Sequence, residues 1–289
     1  MYVERLLITL PTVPLEDELG DVLDKALDHA GLTEAEAAAR AEVDPARLRD
    51  ALDWRSELGP DELRRLARVL GLNEVGLCAL ASGRYPLPEI AGLPFCLHPL
   101  RMAHGIGVVN AYLVSECGSG RGVLFDTGAG RAALEAVWPR AIEKVDAVFL
   151  THVEAEHAGG LCEVVARFGV TAAFIPEGAQ APCGQAMAEG ACWTGPHFTV
   201  TAFSTPGHVA AHNCYLVEAP DARPAGSRLL VSGDLLFAGS VGGAYFCSRR
   251  LRAGVRRVLD AMPPDTVIAP GHGPLTTGGN ERRFNPFVV

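Results

Sequence analysis

The sequence predicts an α/β layered domain preceded by a small all-α domain. Two observations lead there. Residues before about 85 are rich in Ala, Leu, Glu, Asp and Arg and poor in β-branched residues, as helices prefer. Later residues run as short β-rich stretches between Gly-rich turns and helical pieces, the alternation of a layered α/β domain. The junction is Arg84-Tyr85-Pro86-Leu87-Pro88, where two prolines a residue apart hold the chain extended. The predicted division is 1–86, helical, and 87–289, α/β.

Start and stop signals define the helices. One spans Leu19 to Ala30 and stops at Gly31. Thr33 caps Glu34–Glu42, with Glu36 at the third helical position of a capping box. Asp44-Pro45 opens the next, with Pro in its first turn. Gly59-Pro60-Asp61 starts a fourth that ends at Gly71, and its Leu63, Leu66, Val69 and Leu70 share one face. Asn73 caps a short fifth. Strands are predicted at Gly107–Val114, Gly122–Asp126, Ala147–Thr151, Ala173–Ile175, Phe198–Phe203, Cys214–Val217, Leu229–Ser232 and Val267–Ala269.

Bulk properties narrow the function. A length of 289 residues accommodates two domains, and 48% hydrophobic residues supply a core. The net charge of −9 lacks the positive field of a nucleic-acid binder. Eight scattered cysteines without a CxxC pair predict reduced, mostly buried thiols in a cytosolic protein. Residues 1–20 are acidic early, with only a short apolar stretch, and do not read as a signal peptide. No run reaches the roughly 18 apolar residues of a membrane span. A cytoplasmic location without membrane attachment is expected.

Donors for metal recur past strand ends. After Ala147–Thr151 come His152, Glu154, Glu156 and His157, then Ala158-Gly159-Gly160, which lets the chain turn into a helix. Thr205-Pro206-Gly207-His208, Ser232-Gly233-Asp234 and Pro270-Gly271-His272-Gly273 follow three further β-type runs. Loops at the carboxyl ends of strands gather into sites, and metals need several deprotonated donors converging there. Each piece alone is an ordinary loop residue, but four in order are not.

This order and spacing resemble the metallo-β-lactamase superfamily, whose signature is HxHxDH followed by His, Asp and His. The resemblance runs from about residue 95 onward and implies an αββα sandwich. Asn110-Ala111-Tyr112-Leu113-Val114 and Leu124-Phe125-Asp126-Thr127-Gly128 look like the opening strands and first loop of that family. Gly233–Gly242 and Pro270–Thr276 are similar to its glyoxalase II branch. Glu281–Phe287 is similar to compact glyoxalase II-like hydrolases, which lack the helical domain that holds glutathione; here 17 residues follow His272. The resemblance implies two divalent metals: His152, Glu154 and His208 on one, Glu156, His157 and His272 on the other, with Asp234 bridging. It places Asp126 behind the ligands, orienting a histidine or the loop. His212 is expected at the pocket rim or as a solvated loop residue.

Two positions depart from the family. Glu154 stands where hydrolases carry His, and Glu156 where they carry Asp. The first change resembles flavodiiron proteins, with HxExDH. Three carboxylates and four histidines favour iron, with manganese and zinc also suited. Glu156 is a methylene longer than Asp, so to ligate it must fold back, bind through both oxygens or push its metal outward.

Two reactions follow. One is binuclear metal-dependent hydrolysis of a thioester or other ester-like small molecule, in which the metals lower the pKa of a bridging water. The alternative is di-iron chemistry: oxygen or nitric oxide reduction, sensing or oxygenation. The sequence lacks a flavodoxin-like module for the latter. The helices before residue 86 resemble phage-repressor-type helix-turn-helix domains. Yet residues 1–86 carry 10 basic and 17 acidic side chains, a net of −7, which disfavours DNA and favours dimerisation or partner docking. Cys183, Cys192 and Trp193 in the 178–194 loop read as packing residues, and Tyr245 and Phe246 as pocket or core residues.

Overall fold

The computed structural model describes residues 13–105, 107–219 and 228–289. Most of the segment tested for a leader, residues 1–12, lies outside these. Five helices come first: α1 (Leu19–Ala30), α2 (Glu34–Ala41), α3 (Pro45–Leu52), α4 (Pro60–Leu70) and α5 (Glu74–Ala81). Local chemistry sets their ends. Thr33 and Glu36 form the reciprocal box at α2, and the side chains of Asp44 and Asn73 accept the first free N–H groups of α3 and α5. Each such cap contributes about 1 kcal/mol.

Two six-stranded sheets follow. The first runs in the order β1 (Cys96–His104), β2 (Gly107–Ser115), β3 (Arg121–Phe125), β4 (Lys144–Phe149), β5 (Ala173–Pro176) and β6 (Gln185–Met187). Helices α6 (Arg131–Val137), α7 (Ala155–Ala158) and α8 (Leu161–Phe168) lie between its strands in the chain. The second sheet is built from β7 (Cys192–Thr194), β8 (Thr199–Ser204), β9 (Asn213–Glu218), β10 (Leu229–Gly233), β13 (Val267–Pro270) and β14 (Thr276–Thr277). A small ribbon, β11 (Leu236–Phe237) with β12 (Ser240–Val241), follows β10. Helices α9 (Ser248–Ala261) and α10 (Gly278–Phe284) complete the chain.

The period of two along each strand sorts side chains into layers. Tyr112 and Val114, with Phe125, Phe149, Tyr215 and Val231, fill the space between the sheets. Ala111 and Leu113 face the other way, onto Leu134 of α6 and Leu161 and Val164 of α8. Leu216, Leu230 and Ile268 leave the second sheet outward and meet α9 and the N-terminal helices in one continuous core. The result is the expected αββα sandwich, with the helical segment added to its second helical layer. Burial of a Phe such as Phe149, fully enclosed here, contributes about 2–3 kcal/mol.

The N-terminal helices are also tied to the end of the chain. The backbone N–H of Asn73 donates to Pro286 O at 2.7 Å, and its side-chain amide donates to Arg283 O at 3.0 Å. Tyr85 donates to Glu281 Oε1 at 2.9 Å.

The expectation of reduced cysteines alone is corrected. Cys96 and Cys117 form a disulfide. The hairpin explains it: Cys96 pairs with Ser115 across β1 and β2, so Cys117 lies just past its partner. Disulfides persist mainly in oxidising compartments, so the cytoplasmic expectation loses a support. Among the described residues no helix is long and apolar enough to cross a membrane.

Candidate metal centre

Each predicted donor lies at a strand end of the sandwich. His152 and Glu154 follow β4, Glu156 and His157 sit in α7, His208 follows β8, Asp234 follows β10 and His272 follows β13. The fold brings them into two groups. Within each group, one donor atom from every residue lies within 4.8 Å of the others. One group is His152, Glu154 and His208; the other is Glu156, His157, Asp234 and His272. Asp234 stands between them, its Oδ1 3.5 Å from His157 Nε2 and its Oδ2 3.4 Å from His272 Nε2 and 3.7 Å from His208 Nε2.

All four histidines are oriented alike. His157 Nδ1 is 3.1 Å from Asp126 Oδ2, and His152 Nδ1 is 3.0 Å from Thr151 Oγ1. The Nδ1 of His208 donates to Gly243 O at 2.7 Å, and that of His272 to Val108 O at 2.9 Å. Occupied Nδ1 atoms leave Nε2 facing inward with a lone pair. The Nε2 atoms of His152, His157 and His208 and Oδ1 of Asp234 are buried without hydrogen-bond partners. Unpaired buried polar atoms are costly, and several converging on one point fit a cation.

Asp126 reaches none of the open space. It accepts from Thr151 N–H at 2.7 Å and Thr151 Oγ1 at 2.8 Å, and sits in the left-handed region with φ 58°. Glu156 divides its oxygens. Oε2 meets His104 Nε2 at 2.7 Å, while Oε1 lies 3.8 Å from His272 Nε2. The extra methylene thus leaves one oxygen facing the second group.

Without a cation the charges balance internally. Burial raises the Asp234 carboxyl, but His157 and His272 outweigh it and hold the group well below the ordinary range. Burial lowers His272, yet the bond and charge of Asp234 raise it to about 9. The His152 ring, its Nε2 3.6 Å from Glu154 Oε2, lowers the Glu154 carboxyl.

His212 is neither at the rim nor solvated. It is buried behind the site, its Nδ1 2.8 Å from Thr205 Oγ1, and its Nε2 accepts from Asp234 N–H at 3.2 Å. Burial holds its pKa well below the ordinary value, so it stays neutral and fixes the Asp234 backbone. Tyr245 is not a core residue: it is 81% exposed and packs beside the His208 ring with centroids 5.2 Å apart. Cys192 is exposed rather than packed, whereas Cys183 packs against the core beneath the first sheet, its Sγ 3.3 Å from Cys162 Sγ. Trp193 does pack, edge-on to Phe149 at 5.6 Å.

The mouth includes residues that sequence reasoning missed. Glu16, Asp17 and Lys25 of the N-terminal segment line it with His104 and Phe237, beside Tyr245, which the sequence already offers as a pocket or core residue. Lys25 pairs with Asp17 and donates to Val241 O at 2.8 Å. Only His104 had a local signal, the His104-Gly105 turn at the end of a β-type run. The others come from far along the chain.

A model of the metallo-beta-lactamase superfamily matches residues 104–191. An uncharacterized protein of Aquifex aeolicus is 30% identical over 205 residues, spanning 62% of this chain and 92% of that protein. The crystal structure of BLEG-1 B3 metallo-beta-lactamase is similar at 25% identity and TM-score 0.54, covering 65% of this chain and 98% of that one. ETHE1 from Myxococcus xanthus shares the fold at 22% identity and TM-score 0.54, covering 66% of this chain and 84% of that one.

Proposed function

This chain belongs to the metallo-beta-lactamase superfamily, and we propose that it is a binuclear metal-dependent hydrolase of a thioester or other ester-like small molecule. The observation that carries the reading is the position of Asp234 between two donor groups whose inward atoms lack partners. His152, Glu154 and His208 would hold one ion and Glu156, His157 and His272 the other, with Asp234 shared. Such ions act as Lewis acids toward a carbonyl and lower the pKa of water held between them.

The chain's own residues do the rest. Asp126 and the backbone carbonyls of Gly243 and Val108 fix the histidine tautomers. His212 fixes the Asp234 backbone. Tyr245, Phe237 and Lys25 border the mouth and would orient substrate. The likeness to a B3 metallo-beta-lactamase supports hydrolysis as the reaction class.

Glu154 favours a second reading, an iron-dependent redox centre, because a third carboxylate adds hard oxygen and negative charge. The helical segment fits a structural role in the mouth better than DNA reading. Arg47 is paired with Glu62, Arg49 with Glu34 and Arg55 with Asp50, so the arginines of α3 and its following turn are internally neutralised.

Metal analysis of aerobically purified protein, with assays on acyl thioesters, aryl esters and a β-lactam, tests the proposal. Two metals per chain with turnover that Asp234→Asn abolishes are expected. Two irons with oxo-bridged absorption and no hydrolysis would replace the hydrolase by the redox reading.

A further inference from the structure

A second cleft lies between the end of α1 and α9. Its volume is about 880 Å³, and it is lined by His29, Arg249, Arg252, Arg256 and Arg257, with Asp260 at one end. That size falls among sites for nucleotide-sized ligands, which favour crevices between packed units. The sequence builds the cleft by helical period. Arg249, Arg252 and Arg256 stand at i, i+3 and i+7 on one face of α9, spanning about 10 Å along its axis. Ala253 lies between them and leaves the floor open.

Three observations show an unmet requirement for negative charge. First, Arg257 is paired with Glu189, but among the described residues Arg249, Arg252 and Arg256 make no ion pair. Second, α9 has its charges reversed against the helix dipole. Its first turn holds Arg249 and Arg250 and no acid, and its last turn has no basic residue. Helix N-termini ordinarily attract anions, so the Arg249 guanidinium, which lines the cleft there, is unfavourable until an anion joins it, while Arg250 turns away onto the Phe246 ring. Third, both ring nitrogens of His29 are buried without a partner at the cleft wall. Burial, with Arg252 nearby, keeps this imidazole neutral down to about pH 4, so one nitrogen is a donor without an acceptor.

We propose that this cleft is a binding site for a small anion carrying two or more linked phosphates. Guanidinium forks match phosphate oxygens two at a time. Three of them, spaced over about 10 Å, exceed what one orthophosphate can engage. A nucleic-acid backbone, which would run on past the cleft, fits less well, because residues 1–86, from which α1 comes, carry a net charge of −7. The site is separate from the metal centre and does not depend on the reaction there.

Calorimetric titration of the full chain with sodium tripolyphosphate, at low ionic strength and without added metal, tests this. Saturable binding at one site is expected, with orthophosphate at least about tenfold weaker. Arg249→Ala/Arg256→Ala removes two exposed side chains and should weaken tripolyphosphate at least about tenfold at unchanged melting temperature. Asp234→Asn should leave it unchanged, which separates this cleft from the metal centre. No saturable binding, or equal binding by the double arginine variant, overturns the proposal. So does tighter binding of a single-stranded oligonucleotide, with affinity rising with its length.

Discussion

The carboxylate of Asp126 stands 3.1 Å from Nδ1 of His157 while holding Thr151 through both its N–H and its hydroxyl. Asp126→Asn isolates the charge, since Asn also accepts the left-handed backbone found there. Metal affinity should fall about 10–100-fold, the usual cost of losing such a partner. Competition against a chelator of known affinity measures it. An unchanged affinity would remove Asp126 from the site.

Gly271 is required by close approach. A Cβ there would strike Asp234 Oδ1 and come within 2.9 Å of His157 Cε1. Gly271→Ala should therefore displace Asp234 and lower the bound metal below two per chain. Elemental analysis of the folded variant gives the answer. Full loading would show that Asp234 is not held where the geometry puts it.

Gly76 fastens the N-terminal helices to the chain end. Its added Cβ would meet the carbonyl of Phe284. Overpacking of this kind costs about 1–3 kcal/mol. Urea unfolding of Gly76→Ala should show a lower midpoint and, if the helices loosen first, a separate early transition. A midpoint equal to the parent's would mean that this contact is dispensable.

His29 makes stability depend on acid. Burial, with the charge of Arg252, lowers its pKa from 6.5 to about 4 in the folded chain. Below pH 6.5 the unfolded chain therefore takes up a proton that the folded chain refuses. This contribution is complete above 6.5 and is lost as pH falls toward 4. His29→Leu, which keeps an apolar contact beside Phe287, should lose less melting temperature over that interval. Parallel curves for variant and parent would refute the assignment.

Helix ends were legible because capping is local. Gly31, Thr33 with Glu36, and Pro45 each act within one turn, and all three stand where the sequence put them. The donor order was legible because each donor trails an apolar strand. Long-range arrangement was not. Nothing near residue 16 announces that Glu16 lies 3.8 Å from His272. His212 looked like a loop residue because its burial is created by strands joined elsewhere in the sheet. The disulfide was hidden because its cysteines meet only through hairpin register. The short strands β6, β7, β11, β12 and β14 carry too few residues for a period of two to show.

Lys25 and its acceptor Val241 are 216 residues apart, and Asn73 grips Arg283, 210 residues away. Translation therefore delivers one wall of the mouth about 200 residues before its anchors. A nascent chain can form the first sheet, with His152 and His157 in place, while the wall above them has nothing to rest on. The mouth acquires its final shape only once residues up to Arg283 have left the ribosome, so any selectivity it exerts over what enters belongs to the folded chain and not to its growing forms.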